Sequence, residues 1–240
     1  MREETIRKLK EMYLYAMADK WKELSESPQY GKLSASDVIA FMADAEYDRR
    51  KNNTIGRLLR QAHIKLTAAC MEDIEYAARR NLKKQDMENL ITGDYLKNHH
   101  GVLISGATGV GKTYIACALA NHACRKGLST SYYRASRLIE YVMAERTMGN
   151  YLKAIDKLGK IKLLVIDDLG PEIMNKEQRN IFLDIVEERY MTASTVIASQ
   201  LPFEQWYAVF DEPTTADAIC DRLFHNAFKI QLKGESMRKK

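Results

Sequence analysis

The segment Gly106–Thr113 reads Gly-Ala-Thr-Gly-Val-Gly-Lys-Thr and matches the phosphate-binding pattern G-x-x-x-x-G-K-[ST] at every fixed position. The apolar segment Val102–Ser105 precedes it and a helical pattern follows it, which is the context that this loop requires. Glycines let successive backbone N–H groups face phosphate oxygens, and the helix amino terminus adds its positive dipole end. We expect Lys112 to reach the β and γ phosphates and the Thr113 hydroxyl to ligate Mg²⁺. The sequence therefore predicts a site for ATP and Mg²⁺. The expected nucleotide-binding residues are Gly106, Ala107, Thr108, Gly109, Val110, Gly111, Lys112, Thr113 and Tyr114.

Two aspartates directly follow the apolar segment Leu163–Ile166. Because the carboxyl ends of parallel strands share one sheet edge with the phosphate loop, we expect Asp167 to hold the Mg²⁺ shell. Asp168 is the candidate general base for the attacking water. Two aspartates after a strand, taken alone, more often form a helix-capping turn. Together with the loop they predict hydrolysis of ATP.

Short apolar segments alternate with helical patterns from Gly101 onward. This alternation predicts βαβ crossovers and an α/β fold with a three-layer parallel sheet. The predicted strands are Val102–Ser105, Ser129–Arg134, Leu163–Asp167, Thr195–Ser199 and Phe228–Leu232. The predicted helices of this part are Lys112–Lys126, Ser136–Glu145, Gln178–Tyr190 and Thr214–Leu223.

The first ninety or so residues carry helical patterns and no convincing strand. We therefore predict a small all-helical domain over residues 1–90 and an ATPase domain over residues 91–240. Apolar residues at steps of three and four predict one helix over Thr5–Lys22. A second helix, capped by Ser36 or Asp37, is expected to end near Arg50 before Asn52-Asn53-Thr54. Further expected elements are a helical stretch from Ile55 to about Leu82 and a polar connector with one helical turn from Gln85 to His100.

Polar residues follow the predicted strand Thr195–Ser199. If this strand lies between the two strands described above, Ser199 or Gln200 would face the γ-phosphate and orient the attacking water. The alternative is an uninvolved turn before Pro202.

The helical segment before His225 carries an arginine near its end, Arg222. An arginine beyond the sheet edge can act as a finger that stabilises transferred charge on the nucleotide of a neighbouring subunit. The alternative is a surface arginine paired with Asp217 or Asp221.

A run of basic residues without an acidic residue lies between positions 49 and 71 of a chain whose net charge is +5. On a helix, such a stripe suits the phosphates of duplex DNA and sets no base preference. A solvated helix face is the alternative. The candidate DNA-binding residues are Arg49, Arg50, Lys51, Arg57, Arg60 and Lys65.

Hydropathy gives an expectation about location. The longest purely apolar runs, such as Leu163–Ile166, are far too short to cross a bilayer, and the charged amino terminus has no apolar core of a signal peptide. We expect a cytoplasmic protein with no membrane partner.

Seven segments together resemble the IstB-like ATP-binding proteins, which are transposase helper subunits of bacterial insertion sequences within the AAA+ class. The resemblance runs from about Arg49 to the carboxyl terminus, and DnaC-like helicase loaders share the ATPase core. The segments are Gly106–Thr113, Leu163–Gly170, Glu188-Arg189-Tyr190, Ser194–Gln200, Phe203-Glu-Gln-Trp206, Asp217–Asn226 and Leu232–Arg238.

The resemblance implies an AAA+ ATPase that oligomerises on duplex target DNA, presents it to a transposase and uses ATP hydrolysis as a switch. The family more often has Asn where Gln200 stands, and Asp168 is shorter than the glutamate usual in AAA+ proteins, which implies slower hydrolysis. The implied roles are Walker A for Lys112 and Thr113, Mg²⁺ carboxylate for Asp167, catalytic acid/base for Asp168, sensor 1 for Gln200, arginine finger for Arg222 and second sensor for Arg238.

Two other functions fit the phosphate loop. A helicase loader would grip a replicative helicase on single-stranded DNA, and a preference for duplex or single-stranded DNA separates the two readings. A P-loop phosphotransferase ranks last, because nothing in the sequence resembles an acceptor-substrate lid and the segments around Arg222 and Ser236–Arg238 have no role in it.

Overall fold

The computed structural model describes residues 2–76 and 80–237. The chain forms two compact units, Met1–Arg57 and Leu58–Lys240. This division differs from the predicted boundary near residue 90. Its physical reason is packing, because buried side chains between Leu58 and Leu96 belong to the same hydrophobic core as the first strand of the sheet.

The first unit is helical, as predicted, but its helices have other bounds. The predicted single helix over Thr5–Lys22 is wrong, because the chain breaks after Glu11 and Tyr13 takes a left-handed conformation with φ of +61°. The helices are α1 (Arg2–Glu11), α2 (Tyr15–Glu26) and α3 (Ala35–Gln61), the last of which extends four residues beyond the unit boundary.

The amino terminus of α3 is capped by Ser34, two residues before Ser36 and three before Asp37, the two predicted caps. Ser34 Oγ accepts a hydrogen bond from the Asp37 N–H at 3.1 Å, and the Asp37 carboxylate accepts from the Ser34 N–H at 3.1 Å. This reciprocal arrangement satisfies two backbone donors that a helix start leaves open. The helix then continues through Asn52-Asn53-Thr54 instead of ending near Arg50. Such residues cost a helix only a few tenths of a kcal/mol each, so a long helix tolerates them.

A buried carboxylate joins the helices of the first unit. Glu46 of α3 accepts backbone hydrogen bonds from Ala16 at 3.0 Å and Met17 at 3.4 Å, at the amino terminus of α2. Arg49 donates to Glu46 at 2.6 Å and also to the carbonyl of Tyr13 at 2.9 Å. The break between α1 and α2 is therefore held by an ionic cluster that helical periodicity does not reveal.

The second unit is built on a parallel sheet whose order is β2-β3-β4-β1-β5. All five strands were predicted, each to within two residues at either end. They are β1 (Gly101–Ser105), β2 (Thr130–Arg134), β3 (Leu163–Leu169), β4 (Ser194–Ser199) and β5 (Ala227–Gln231).

Helices cover both faces of this sheet, which confirms the three-layer α/β architecture. Leu119 and its neighbours pack with Val102 on one face, whereas Phe182 and Ile219 pack with Leu103 on the other. The helices of the unit are α4 (Lys84–Thr92), α5 (Asp94–Lys97), α6 (Lys112–Arg125), α7 (Ala135–Thr147), α8 (Tyr151–Lys160), α9 (Lys176–Arg189), α10 (Trp206–Val209) and α11 (Pro213–Phe224).

Three parts of the helical prediction differ from the structure. Among the described residues, the stretch from Ile55 to Leu82 is α-helical only as far as Gln61. The predicted polar connector 85–100 forms α4 and α5, with Met87 and Tyr95 fully buried. The amphipathic helix α8 was missed, although Ala154, Ile155 and Leu158 recur on one face and are buried.

The carboxyl ends of the strands meet at one edge of the sheet. Strand β4 lies between β1 and β3, with Ser199 in register with both Ser105 and Leu169. The phosphate loop after β1, the aspartates of β3 and the residue after β4 therefore converge at this edge. Among the described residues, no helix has the length and apolar composition that a membrane span requires.

Candidate active site

The phosphate loop connects β1 to α6, which begins at Lys112. Among its glycines with positive φ are Gly109 at +85° and Gly111 at +98°. A Cβ atom at Gly109 would lie 2.2 Å from the Ser236 hydroxyl oxygen, and one at Gly111 would lie 2.7 Å from a guanidinium nitrogen of Arg80. The loop is thus closely surrounded by its own chain, which leaves room for backbone and not for side chains.

Arg80 supports this loop from behind and was not predicted. Its buried guanidinium donates hydrogen bonds to the Val110 carbonyl at 3.1 Å and the Glu75 carbonyl at 2.5 Å. On the other side, the Met237 N–H donates to the Gly109 carbonyl at 2.9 Å. Sequence motifs around Arg80 gave no signal for this role, because the contact joins residues 30 positions apart through an arginine and a backbone carbonyl.

Lys112 lies where the sequence places it. The side chain is 8% exposed, and its ammonium donates to the carbonyls of Gly106 at 2.7 Å and Ala107 at 2.8 Å. The ammonium is therefore folded onto the loop, at a position from which it can exchange carbonyl oxygens for phosphate oxygens.

The Asp167 carboxylate is buried and accepts three hydrogen bonds. Its Oδ2 accepts from the Thr113 hydroxyl at 2.9 Å and from the Tyr132 hydroxyl at 2.6 Å, and its Oδ1 accepts from the Asp168 N–H at 3.0 Å. Burial, together with the hydrogen bond to Asp167, raises the pKa of Tyr132, so this phenol stays a donor. Mg²⁺ in nucleotide sites takes one or two protein oxygens beside phosphate oxygens and water. The Thr113 and Asp167 oxygens fit that requirement.

The second carboxylate, Asp168, faces the cleft in a left-handed backbone conformation with φ of +63°. Arg134 donates to it at 2.5 Å, and the Gln200 side-chain amide donates at 3.1 Å. Burial raises the pKa of Asp168, but the hydrogen bonds from Arg134 and Gln200 outweigh burial, and the pKa is lowered overall. Asp168 is therefore an ionised acceptor at neutral pH. Arg134 was not predicted.

Gln200, and not Ser199, faces the site. The Gln200 carbonyl oxygen accepts from the Thr108 hydroxyl at 2.7 Å, which links the loop to Asp168 through one amide. The Ser199 hydroxyl is buried and donates to the Leu169 carbonyl at 2.7 Å. Ser199 thus links the ends of β3 and β4, and Gln200 is the one of the two candidates whose side chain faces the cleft.

A cleft of about 510 Å³ opens above these groups. Tyr114, expected to contact the nucleotide, lies in its wall, and so does Lys65, which was expected to bind DNA. The positive charge of Lys65 contributes to the lowered pKa of Asp168, after burial and the two hydrogen bonds. The lining residues are Lys65, Leu66, Thr108, Gly109, Gly111, Lys112, Thr113, Tyr114, Arg134, Asp167, Asp168, Gln200 and Met237.

Arg222 lies away from this cleft. Its guanidinium forms an ion pair with Glu187 at 2.7 Å and donates to the Ala218 carbonyl at 2.9 Å, in a cavity near the amino ends of β1 and β4. Glu187, and not Asp217 or Asp221 as in the alternative interpretation, is therefore the ionic partner of Arg222. Arg238, the expected second sensor, lies outside the described residues.

The expected DNA-binding residues differ in their surroundings. Arg49 and Arg50 of the first unit are ion-paired with Glu46, at 2.6 and 2.9 Å, and the pKa of Glu46 is lowered to about 2, mainly by the Arg49 hydrogen bond. The basic run from position 49 to 71 is therefore partly neutralised by an acidic residue that precedes it, because a helix places Glu46 beside the residues three and four positions later. Lys51 and Arg57 are exposed in the first unit. Arg60, in the second unit, is exposed as well.

Comparisons with known proteins identify a family of ATP-binding proteins. A family model described as IstB-like ATP binding protein matches residues 7–240, so the similarity begins well before Arg49. An insertion sequence ATP-binding protein of Sinorhizobium fredii is 38% identical over 235 residues, covering 98% of this chain and 96% of the relative. The insertion sequence IS1162 ATP-binding protein of Pseudomonas fluorescens is 33% identical over 202 residues, covering 84% and 87%. The crystal structure of the DnaC helicase loader shares the fold, with a TM-score of 0.58 and 16% identity over 69% of this chain and 97% of that chain.

Proposed function

The chain belongs to the IstB-like ATP-binding family, ATPases with the AAA+ fold, and we propose that it is an ATP-dependent helper in transposition. In this role it oligomerises on duplex target DNA, presents that DNA to a transposase and uses ATP hydrolysis as a switch. The observation that carries the proposal is the convergence of Thr113, Asp167, Asp168 and Gln200 beside the phosphate loop. The insertion-sequence names of the relatives supply the biological setting.

Nucleotide binding begins with Lys112. Its ammonium exchanges the carbonyls of Gly106 and Ala107 for phosphate oxygens, and the loop backbone and the amino terminus of α6 receive the remaining negative charge. Thr113 and Asp167 are the residues that would hold Mg²⁺. Bound there, Mg²⁺ neutralises charge on the phosphates of ATP.

Asp168 and Gln200 serve the attacking water. Asp168 accepts the proton of that water, and Gln200, held between Thr108 and Asp168, orients it. Because Arg134 lowers the pKa of Asp168, this carboxylate is a weak base in the described state. Slow hydrolysis suits a protein that uses ATP to time an assembly and not to drive rapid turnover.

Arg222 acts on the nucleotide of the next subunit. Support comes from its absence from the lining of the cleft of its own chain and from its partly exposed position, where an ion pair with Glu187 and a hydrogen bond to the Ala218 carbonyl hold it. ATP bound between two subunits then favours assembly, because a ligand stabilises the state that it binds preferentially. Hydrolysis removes that ligand and favours release of the subunits. Arg238 keeps its proposed role as second sensor on the family resemblance alone.

Duplex DNA is bound by exposed basic residues through its phosphates. Lys51 and Arg57 of the first unit carry this part of the proposal, and Arg60 is an exposed candidate in the second unit. Arg49 is not part of the proposed DNA site, because its guanidinium is already hydrogen-bonded to Glu46 and to the Tyr13 carbonyl. Lys65 is not part of it either, because it lines the nucleotide cleft.

The experiment that tests the function is electron microscopy of the protein with duplex DNA, with and without ATP. We expect ordered rings or filaments on the duplex only with ATP, and none with Lys112→Ala. Loss of the charged hydrogen bonds from Lys112 should weaken ATP binding on the order of 100-fold. The proposal would be contradicted if the protein stayed monomeric in the presence of ATP and duplex DNA. Assembly on single-stranded DNA alone would also contradict it and would favour a helicase loader.

A further inference from the structure

The hydroxyl of Tyr132 makes its hydrogen bond to the carboxylate oxygen of Asp167 that also accepts from Thr113. The two distances to Oδ2 are 2.6 Å from Tyr132 and 2.9 Å from Thr113. Asp167 is 4% exposed and Tyr132 is 7% exposed, so water does not compete freely for either group. A charge-assisted hydrogen bond in such surroundings is strong and directional.

The position of Tyr132 is itself held from two sides. Strand β2 pairs with β3, with Tyr132 opposite Val165, and the Tyr132 N–H donates to the Ala62 carbonyl at 2.9 Å. The ring packs in the core between the sheet and α6. Tyr132 therefore brings a hydroxyl of fixed position to Asp167 and not a mobile one.

We propose that Tyr132 is a positioning residue for the Mg²⁺ site, acting through Asp167 on the Thr113 hydroxyl. With Oδ2 held by Tyr132 and Oδ1 by the Asp168 N–H, the Asp167 carboxylate has one orientation. That orientation fixes where the hydrogen of the Thr113 hydroxyl points, and it leaves the lone pairs of this hydroxyl free for a cation in the cleft. The inference rests on the proposed ATP and Mg²⁺ site.

The Tyr132 hydroxyl could affect Mg²⁺ affinity in two opposite directions, and an experiment can distinguish them. A phenol that donates to a carboxylate also withdraws some negative charge from it, which by itself would weaken attraction for Mg²⁺. If orientation dominates, removing the hydroxyl weakens Mg²⁺ binding. If charge withdrawal dominates, removing it tightens Mg²⁺ binding. Groups that orient metal ligands typically change metal affinity by about 10- to 100-fold, so we expect orientation to dominate.

The test is a Mg²⁺ titration of the full chain with a fluorescent, non-hydrolysable ATP analogue, comparing wild type, Tyr132→Phe and Tyr133→Phe. Tyr133 is a matched control, because it is the next residue of β2 and stacks on Tyr141 on the opposite face of the sheet. We expect Tyr132→Phe to raise the half-saturating Mg²⁺ concentration about tenfold. Tyr133→Phe should leave it unchanged, and analogue affinity in EDTA should be the same for all three proteins.

Replacing Tyr132 with 4-aminophenylalanine restores an N–H donor at the same place. We expect this variant to return most of the Mg²⁺ affinity, and it carries the comparison with wild type if Tyr132→Phe does not fold. An unchanged or lower half-saturating Mg²⁺ concentration in Tyr132→Phe would overturn the inference. It would also be overturned if the variant with 4-aminophenylalanine at position 132 bound Mg²⁺ no more tightly than Tyr132→Phe. If wild type itself shows no Mg²⁺ dependence, the proposed function fails instead.

Discussion

Arg134, at the end of β2, donates a hydrogen bond at 2.5 Å to Asp168, the carboxylate that we propose as the acceptor of the proton of the attacking water. Gln200 donates to the other oxygen of the same carboxylate. Asp168 thus accepts hydrogen bonds from the amide of Gln200 and from the guanidinium of Arg134, and each of the two donors can be removed separately by mutation.

Arg134→Gln should raise ATP turnover a few-fold. The pKa of Asp168 lies below its ordinary value, and loss of Arg134 raises it, so the carboxylate becomes a stronger base while it remains ionised at neutral pH. The acidic limb of the pH–rate profile should move to higher pH for the same reason. Steady-state hydrolysis at saturating ATP measures both effects. Arg137→Gln is the control, because Arg137 is exposed and pairs with Glu140. Slower turnover in Arg134→Gln would show that the arginine supports catalysis instead.

Arg222→Ala should retain ATP binding and lose hydrolysis and ATP-dependent assembly. An arginine finger contributes on the order of 1,000-fold or more to turnover. Glu187→Gln is a matched variant, because it breaks the ion pair at 2.7 Å but leaves the arginine in place, and it should keep both activities. Nucleotide binding, hydrolysis and particle size are measured side by side. Full turnover in Arg222→Ala would refute the finger.

The double variant Lys51→Ala/Arg57→Ala should weaken binding to duplex DNA equally for all sequences. Two lost phosphate contacts reduce the slope of log affinity against log salt by about 2. Lys10→Ala/Lys22→Ala removes the same charge from exposed positions of α1 and α2 and should leave the slope unchanged. Fluorescence anisotropy at several salt concentrations gives both slopes. Equal slopes for the two double variants would place the DNA site elsewhere.

Stability at low pH should depend on Glu46. Its pKa is lowered from 4.5 to about 2, chiefly by the hydrogen bond from Arg49, so its stabilising contribution is present above pH 4.5 and is lost as the pH falls toward 2. Glu46→Gln should lower the midpoint temperature of unfolding at pH 7. Between pH 5 and 3 the midpoint of this variant should decrease less than that of the wild type. Circular dichroism melts measure both. Glu23→Gln is the control, because Glu23 is exposed and forms a surface ion pair with Lys20. An equally steep fall in Glu46→Gln would exclude this cluster as the cause.

Local patterns were enough to predict the five strands, four of the helices between them and the loop at Gly106–Thr113. They also placed Asp167 and Asp168 at the edge that this loop shares, because parallel strands bring their carboxyl ends together. These features depend on residues close together in the chain and on one general rule of sheet geometry, and so they can be read without knowing strand order.

The sequence by itself determined that the chain has a phosphate loop, two carboxylates for it and a parallel sheet to hold them. Only the tertiary structure decided that Gln200 and not Ser199 faces the cleft, that Tyr132 and Arg134 contact the two aspartates, and that Lys65 lies with the nucleotide site. The physical reason is that these contacts join side chains on different strands and loops. They depend on strand order and register, which residue spacing along the chain does not encode.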